Sequence, residues 1–224
     1  DRVSIIRSMT HDDVAHLSSA HTTLTGHLPP VNKSDAEPPS ERDTPHLGST
    51  LGRFKTAPDN LPTFVTLPWK TLHPAAPGGL APGQTGGWLG RAEDPFLVTG
   101  DPSKPEWKVP ALSLLDGIDS RRLEHRRHLL KSSVKSAFDL NAESAAIRDR
   151  YGRHIHGQCV LMARRLLEHG VPIVSVNWHN DGKNFWDTHG NNFNRLKNDL
   201  IPPADKALAA LLTDLEDRGM LDDT

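Results

Sequence analysis

The sequence predicts an α/β fold built around a mainly parallel sheet, from three observations. Ile147, Tyr151, Ile155, Cys159, Met162 and Leu166 recur at spacings that place them on one helical face, which Gly170 and Pro172 close. The run Val171 to Trp178 is apolar almost throughout, as expected of a strand covered on both faces. After a polar stretch, Pro202 and Pro203 open a second helix with Leu208, Leu211, Leu212 and Leu215 as its stripe and Gly219 as its stop. Helix, buried strand, polar loop and helix make an α/β unit. At 224 residues the chain suits one large domain, residues 1–224.

The remaining elements follow along the chain. Residues 1–28 open with a β-branched run, Val3 to Ile6, that predicts a strand, followed by a turn and a short helix ending at Thr25-Gly26. Residues 29–110 hold 15 of the 18 prolines. Proline fixes φ and removes a backbone donor, so only short elements are expected there: a helix from Leu47 to Phe54 and a strand from Thr63 to Leu67. Its apolar content is too high for a linker, which predicts an ordered excursion over one edge of the core. Ser120 to Ala137 reads as a helix with Leu123, Leu130 and Val134 inward. Its opposite face carries Arg121, Arg122, Arg126, Arg127 and Lys131 and reads as a solvated surface.

Charge excludes some functions. Lys and Arg number 26 against 28 Asp and Glu, a net charge of -2, so no global field favours nucleic acid or an anionic membrane. No run approaches the roughly 18 apolar residues of a membrane span. Cys159 is the single cysteine, which excludes an internal disulfide and a thiolate zinc cluster; its place on the apolar stripe predicts an inert buried thiol.

Chemistry concentrates in two places. Trp178 to Asn192 occupies the carboxyl end of the predicted buried strand, where open α/β sheets place ligands. Asp187 and His189 are two apart, so in an extended segment both side chains point one way with Cα atoms ~6.6 Å apart. That suits one cation, with His179 or Asp181 approaching from the start of the loop. Carboxylate plus imidazole fits Zn²⁺, Mn²⁺ or Fe, and Ca²⁺ less well because it prefers oxygen alone. Thr10 to Gly26 is the second place. His11, His16 and His21 are spaced by five, about 140° of rotation between them on a helix, so they do not all converge there. Asp12, His16 and Ser19 share a helical face and invite comparison with a serine-hydrolase triad, although no G-x-S-x-G elbow is present.

Several short motifs carry a resemblance: Arg7-Ser8-Met9-Thr10-His11, Ser18-Ser19-Ala20-His21 running into Leu24-Thr25-Gly26, Arg148-Asp149-Arg150-Tyr151-Gly152, Gly170-Val171-Pro172, Val176-Asn177-Trp178 and Trp186-Asp187-Thr188-His189-Gly190-Asn191-Asn192-Phe193. In this order they resemble a large bacterial sulfatase-like family, a domain-of-unknown-function branch of the alkaline phosphatase superfamily. The resemblance implies a three-layer α/β sandwich, with this chain its middle portion. It also implies a divalent metal centre that activates a nucleophile for hydrolysis of a sulfate or phosphate ester.

Asp187 and His189 match the family's Asp-Thr-His motif and are the implied metal ligands, with Zn²⁺, Mn²⁺ and Ca²⁺ the ions to test. Thr25-Gly26 matches the pair closing the nucleophile-bearing helix. Counting back nine residues from Thr25 reaches His16, and Ser18 stands close by. Ser18 is therefore the candidate nucleophile, with His11, His16 and His21 near the ester. The expected partner is a small-molecule or polysaccharide ester, with no nucleic acid. Exported or periplasmic localisation is implied by the same likeness. The alternative is a catalytically inactive descendant that uses the proline-rich excursion for binding.

Overall fold

A computed structural model describes residues 6, 8–58, 61–73, 76, 79–109, 132–178 and 186–224. The fold is mixed α/β with a small three-stranded sheet and several helices. The chain divides into two compact units, residues 1–56 with 70–96 and residues 57–69 with 97–224. The proline-rich zone is shared between them. The strand predicted at the start of the chain, most of the helix predicted from Ser120 and its basic stripe lie outside the described residues.

In the first unit, helix α1 spans His16–Thr25 and stops at Gly26, whose φ of 75° is the left-handed cap that glycine adopts without strain. Helix α2 spans Leu47–Gly52 and is capped by His46, whose imidazole accepts from the Gly48 N–H. Leu17, Ala76 and Ala81 form a small apolar cluster. Much of the order comes from side chains satisfying loop backbone, as a proline-rich chain with few ladders requires. Gln84 accepts from the Thr71 N–H and donates to the carbonyls of Thr71 and Ala81. Buried Asp43 accepts from the N–H groups of Ser40 and Gly83 and from the Ser40 hydroxyl.

The second unit holds β1, Phe64–Leu67, which lies between β2, Phe96–Leu97, and β3 in the sheet order. Helix α3 spans Ser132–Phe138, α4 Ala145–Tyr151 and α5 Ile155–Glu168, and β3 is Ile173–Val176. Helix α6, Asn192–Arg195, runs through a π turn at Leu196–Leu200 into α7, Ile201–Asp217. β1 and β3 are parallel, with Phe64 opposite Ile173 and Leu67 opposite Val176.

Three expectations are corrected. The strand after Gly170 lies at the edge of the described sheet and is only half-buried, while all four residues of β1 are buried. The central strand therefore comes from the proline-rich zone. The helix expected to run unbroken through residue 166 is two helices. Gly152, at φ 94°, ends α4, and the His154 imidazole starts α5 by accepting from the Gly157 N–H at 3.2 Å. The last helix buries Ala207, Ala210, Asp214 and Leu215 and leaves Leu208 49% exposed, because the inward turn is set by polar contacts of Asp214 as much as by leucines. Cys159 is fully buried among α5 residues, and loss of solvent raises its thiol pKa.

Candidate metal centre

β3 delivers the chain to the loop that carries Asp187 and His189. Its end is pinned by Asn177, whose N–H donates to the Leu67 carbonyl and whose side-chain amide donates to the Trp69 carbonyl at 2.8 Å. The next residue, Trp178, packs on the His156 ring at 4.4 Å, and the Trp186 ring meets it edge-on at 5.2 Å. These rings bring together the two residues that flank the undescribed part of the loop. His179 and Asp181 lie within that part, outside the described residues.

Beyond Trp186 burial changes from residue to residue. Thr188 is buried, its hydroxyl donates to Asn192 Oδ1 at 2.8 Å, and its carbonyl accepts from Arg195 at 2.9 Å. Anchoring the middle residue leaves Asp187 and His189 as a pair, and His189 Nε2 lies 2.7 Å from Asp187 Oδ2. Their side chains are 39% and 69% exposed, so the pair is open to solvent ions.

The segment is not extended, in contrast to the sequence expectation. His189 has φ 51°, and the Gly190 N–H closes a three-residue turn on the Thr188 carbonyl at 2.5 Å. Asn191, also at φ 51°, is a second left-handed residue that is not glycine. Such positions cost about 1–3 kcal/mol each, persist only where surroundings enforce them, and concentrate at functional sites.

The first unit holds a different donor pair. The His16 and His73 rings stack with centroids 4.0 Å apart, and His16 Nδ1 lies 3.3 Å from Asp35 Oδ2. The ligand atoms of His16 and His73 lie within 4.8 Å of each other, as do those of Asp187 and His189. His73 and Asp35 went unnoticed in the sequence because neither stands at a ligand spacing or on a periodic element.

The other predicted residues have defined partners. His11 Nδ1 accepts from the Asp13 N–H, and Asp12 pairs with Lys33 at 3.2 Å. Ser19 donates to the His16 carbonyl, so Asp12, His16 and Ser19 each point to a separate partner. Ser18 is 1% exposed; its oxygen accepts from the Ser34 N–H at 3.1 Å, and it hydrogen-bonds Asp13. Burial tends to raise the Asp13 pKa, but bonds from Ser18 and from the N–H groups of Lys33 and Ala15 prevail and hold it below the ordinary value.

His21 is fully buried and uses both ring nitrogens: Nδ1 lies 3.0 Å from the His27 carbonyl, and Nε2 accepts from the Thr44 N–H at 3.1 Å. Burial lowers its pKa, which keeps the imidazole neutral at neutral pH. A cavity of about 120 Å³ lies beside Ser18, with Arg42 and Asp43 in its wall.

The fold and this geometry define an α/β protein with a carboxylate–imidazole pair just beyond the carboxyl end of a strand. The chain belongs to the DUF1501 family, whose description is a protein of unknown function; the family profile matches residues 1–132 and 122–224. No curated protein and no solved structure matches the chain. Among the described residues, no helix is long and apolar enough to cross a membrane.

Proposed function

We propose that the protein is a metal-dependent hydrolase of sulfate or phosphate esters, sulfatase-like in character, with Asp187 and His189 as metal ligands. The observation that carries the reading is the 2.7 Å approach of the imidazole to the carboxylate on a strained turn beyond β3. At this distance the pair shares one proton, and a divalent cation would replace that proton with the two ligand atoms moving slightly apart. Their mixed oxygen and nitrogen character fits Zn²⁺ or Mn²⁺ better than Ca²⁺. A bound ion would supply charge for the ester oxygens and acidify a water or hydroxyl. The chain's part would be to hold the ligands in place, and the bonds of Thr188 between them to Asn192 and Arg195 support that role. The sulfatase-like motifs support the ester chemistry and, with it, an exported setting.

A second reading, a binding protein without turnover, is favoured by the burial of Ser18 and the engagement of its hydroxyl. Thermal unfolding during titration with Zn²⁺, Mn²⁺ and Ca²⁺ tests the ligands first. A cation that prefers the folded chain stabilises it by about 2.7 kcal/mol at a hundred times its dissociation constant. The midpoint is expected to rise in the parent chain and to stay flat in Asp187→Ala/His189→Ala. Equal stabilisation in that variant rejects the ligand assignment, and His16→Ala/His73→Ala reports separately on the other donor pair. Turnover of 4-nitrophenyl sulfate or phosphate in the metal-loaded protein then separates a hydrolase from a binding protein.

A further inference from the structure

The second unit contains a cavity of about 620 Å³, within the ~300–1,000 Å³ range of small-molecule sites. Its floor is apolar. Val109, Phe138 and Leu140 are each buried to 6% exposure or less. One wall is Trp107, whose indole N–H donates to the Thr99 carbonyl at 3.0 Å. A Cβ at Gly100 would fall 2.7 Å from that indole nitrogen, so the backbone lies hard against the ring and fixes it.

The charge of the lining is one-sided. Among the described residues of the lining, Lys104, Lys108, Lys135 and Arg148 stand against one carboxylate, Asp139, which already accepts from the Asn141 N–H. Arg148 is half-buried and held by its Nε–H on Gln158 Oε1 at 2.8 Å. Its other bonds, to Asn141 Oδ1 and the Pro102 carbonyl, are both at 3.5 Å. A guanidinium has five N–H donors, so two remain after these three bonds.

A pinned aromatic wall, an apolar floor and a positioned guanidinium with donors to spare match a flat organic body that carries an anionic group. We propose that this cavity binds a small aromatic anion, with its acid group on Arg148 and its ring against the surface that Trp107 and Phe138 supply. The site uses none of the residues assigned to the metal centre, so it stands or falls independently of that reading.

The test is calorimetric titration of the full chain with 2-naphthoate and with its uncharged counterpart, 2-naphthamide. One-to-one binding of naphthoate is expected, with naphthamide weaker by about tenfold or more, as loss of a charge-assisted hydrogen bond implies. Arg148→Met should weaken naphthoate by a similar factor and leave naphthamide unchanged. Because Arg148 also steadies Gln158, the decision passes to Lys104→Glu/Lys108→Glu/Lys135→Glu if the methionine variant fails to fold. That triple variant changes exposed side chains and should reduce naphthoate affinity and its salt dependence together. Absence of naphthoate binding, equal affinity for acid and amide, or affinity unchanged in the folded variants overturns the proposal.

Discussion

Among the described residues Arg164 is the largest fully buried side chain, and a buried guanidinium is tolerated only where its charge is answered. Three carboxylates answer it. Nε lies 2.8 Å from Asp214, Nη2 2.8 Å from Glu143 and Nη1 2.6 Å from Glu168. Arg165 also pairs with Glu143, Arg218 with Asp214 at 2.8 Å, and the Tyr151 hydroxyl donates to Asp214 at 3.0 Å. The network thus holds three guanidiniums and three carboxylates, and loss of one member strands another in a low-dielectric interior. Arg164→Met keeps the apolar stem and removes the charge, so it should cost about 3–5 kcal/mol in urea unfolding. Arg164→Lys should restore little of this, because one ammonium cannot present a planar fork to three acceptors. Glu168 stands one turn along the same helix as Arg164, but the sequence does not reveal that Glu143, ahead of α4, and Asp214, in α7, complete the set. The closeness of Asp187 and His189 was legible because they are neighbours in the chain, but a tight turn at His189 brings them together and not the extended backbone the spacing suggested.

At the scale of elements, the break between α4 and α5 is set by close backbone approach. A Cβ on Gly157 would stand 2.2 Å from the Tyr151 carbonyl oxygen and 2.6 Å from that of Gly152. Both obstacles are backbone and cannot swing aside. Gly157→Ala should therefore destabilise the protein by about 1–3 kcal/mol through overpacking, despite alanine's better helix propensity. Chemical denaturation reads this directly; a stabilised variant would show that the two helices tolerate fusion. The helical faces of Tyr151, Cys159, Met162 and Leu166 were legible because apolar period survives the break, whereas the break depends on the tertiary fit of a glycine. The edge position of β3 was hidden as well. An apolar strand reads alike at the centre or the rim, and order in a sheet is decided by which distant segment pairs with it. Here that segment is β1, only four residues long and set among prolines.

For the whole molecule, the two units rest on ionisable groups of different kinds, and acid should act on them at different pH. In the first unit, burial pushes His46 down to about 4 from its ordinary 6.5, and burial also lowers His21. An imidazole depressed in the folded state binds its proton more readily when unfolded. Its contribution to stability is therefore complete above pH 6.5 and falls as the pH drops from 6.5 towards 4. Protonation of His46 would also cancel the lone pair that caps α2.

In the second unit, burial raises Glu143 and Asp214, but their arginine partners prevail and hold both below their ordinary values of 4.5 and 3.8. A depressed carboxylate contributes stability that is present above its unfolded pKa and lost as the pH falls through the folded one. Amide hydrogen exchange followed peptide by peptide should show protection of α2 weakening between pH 6.5 and 4, while α5 and α7 hold theirs until the pH falls below 4.5. His46→Gln should move the first loss to lower pH, since glutamine does not take up a proton in this range. Loss of protection in α5 together with α2, well above the carboxylate range, would mean that the arginine network does not govern the second unit's acid stability.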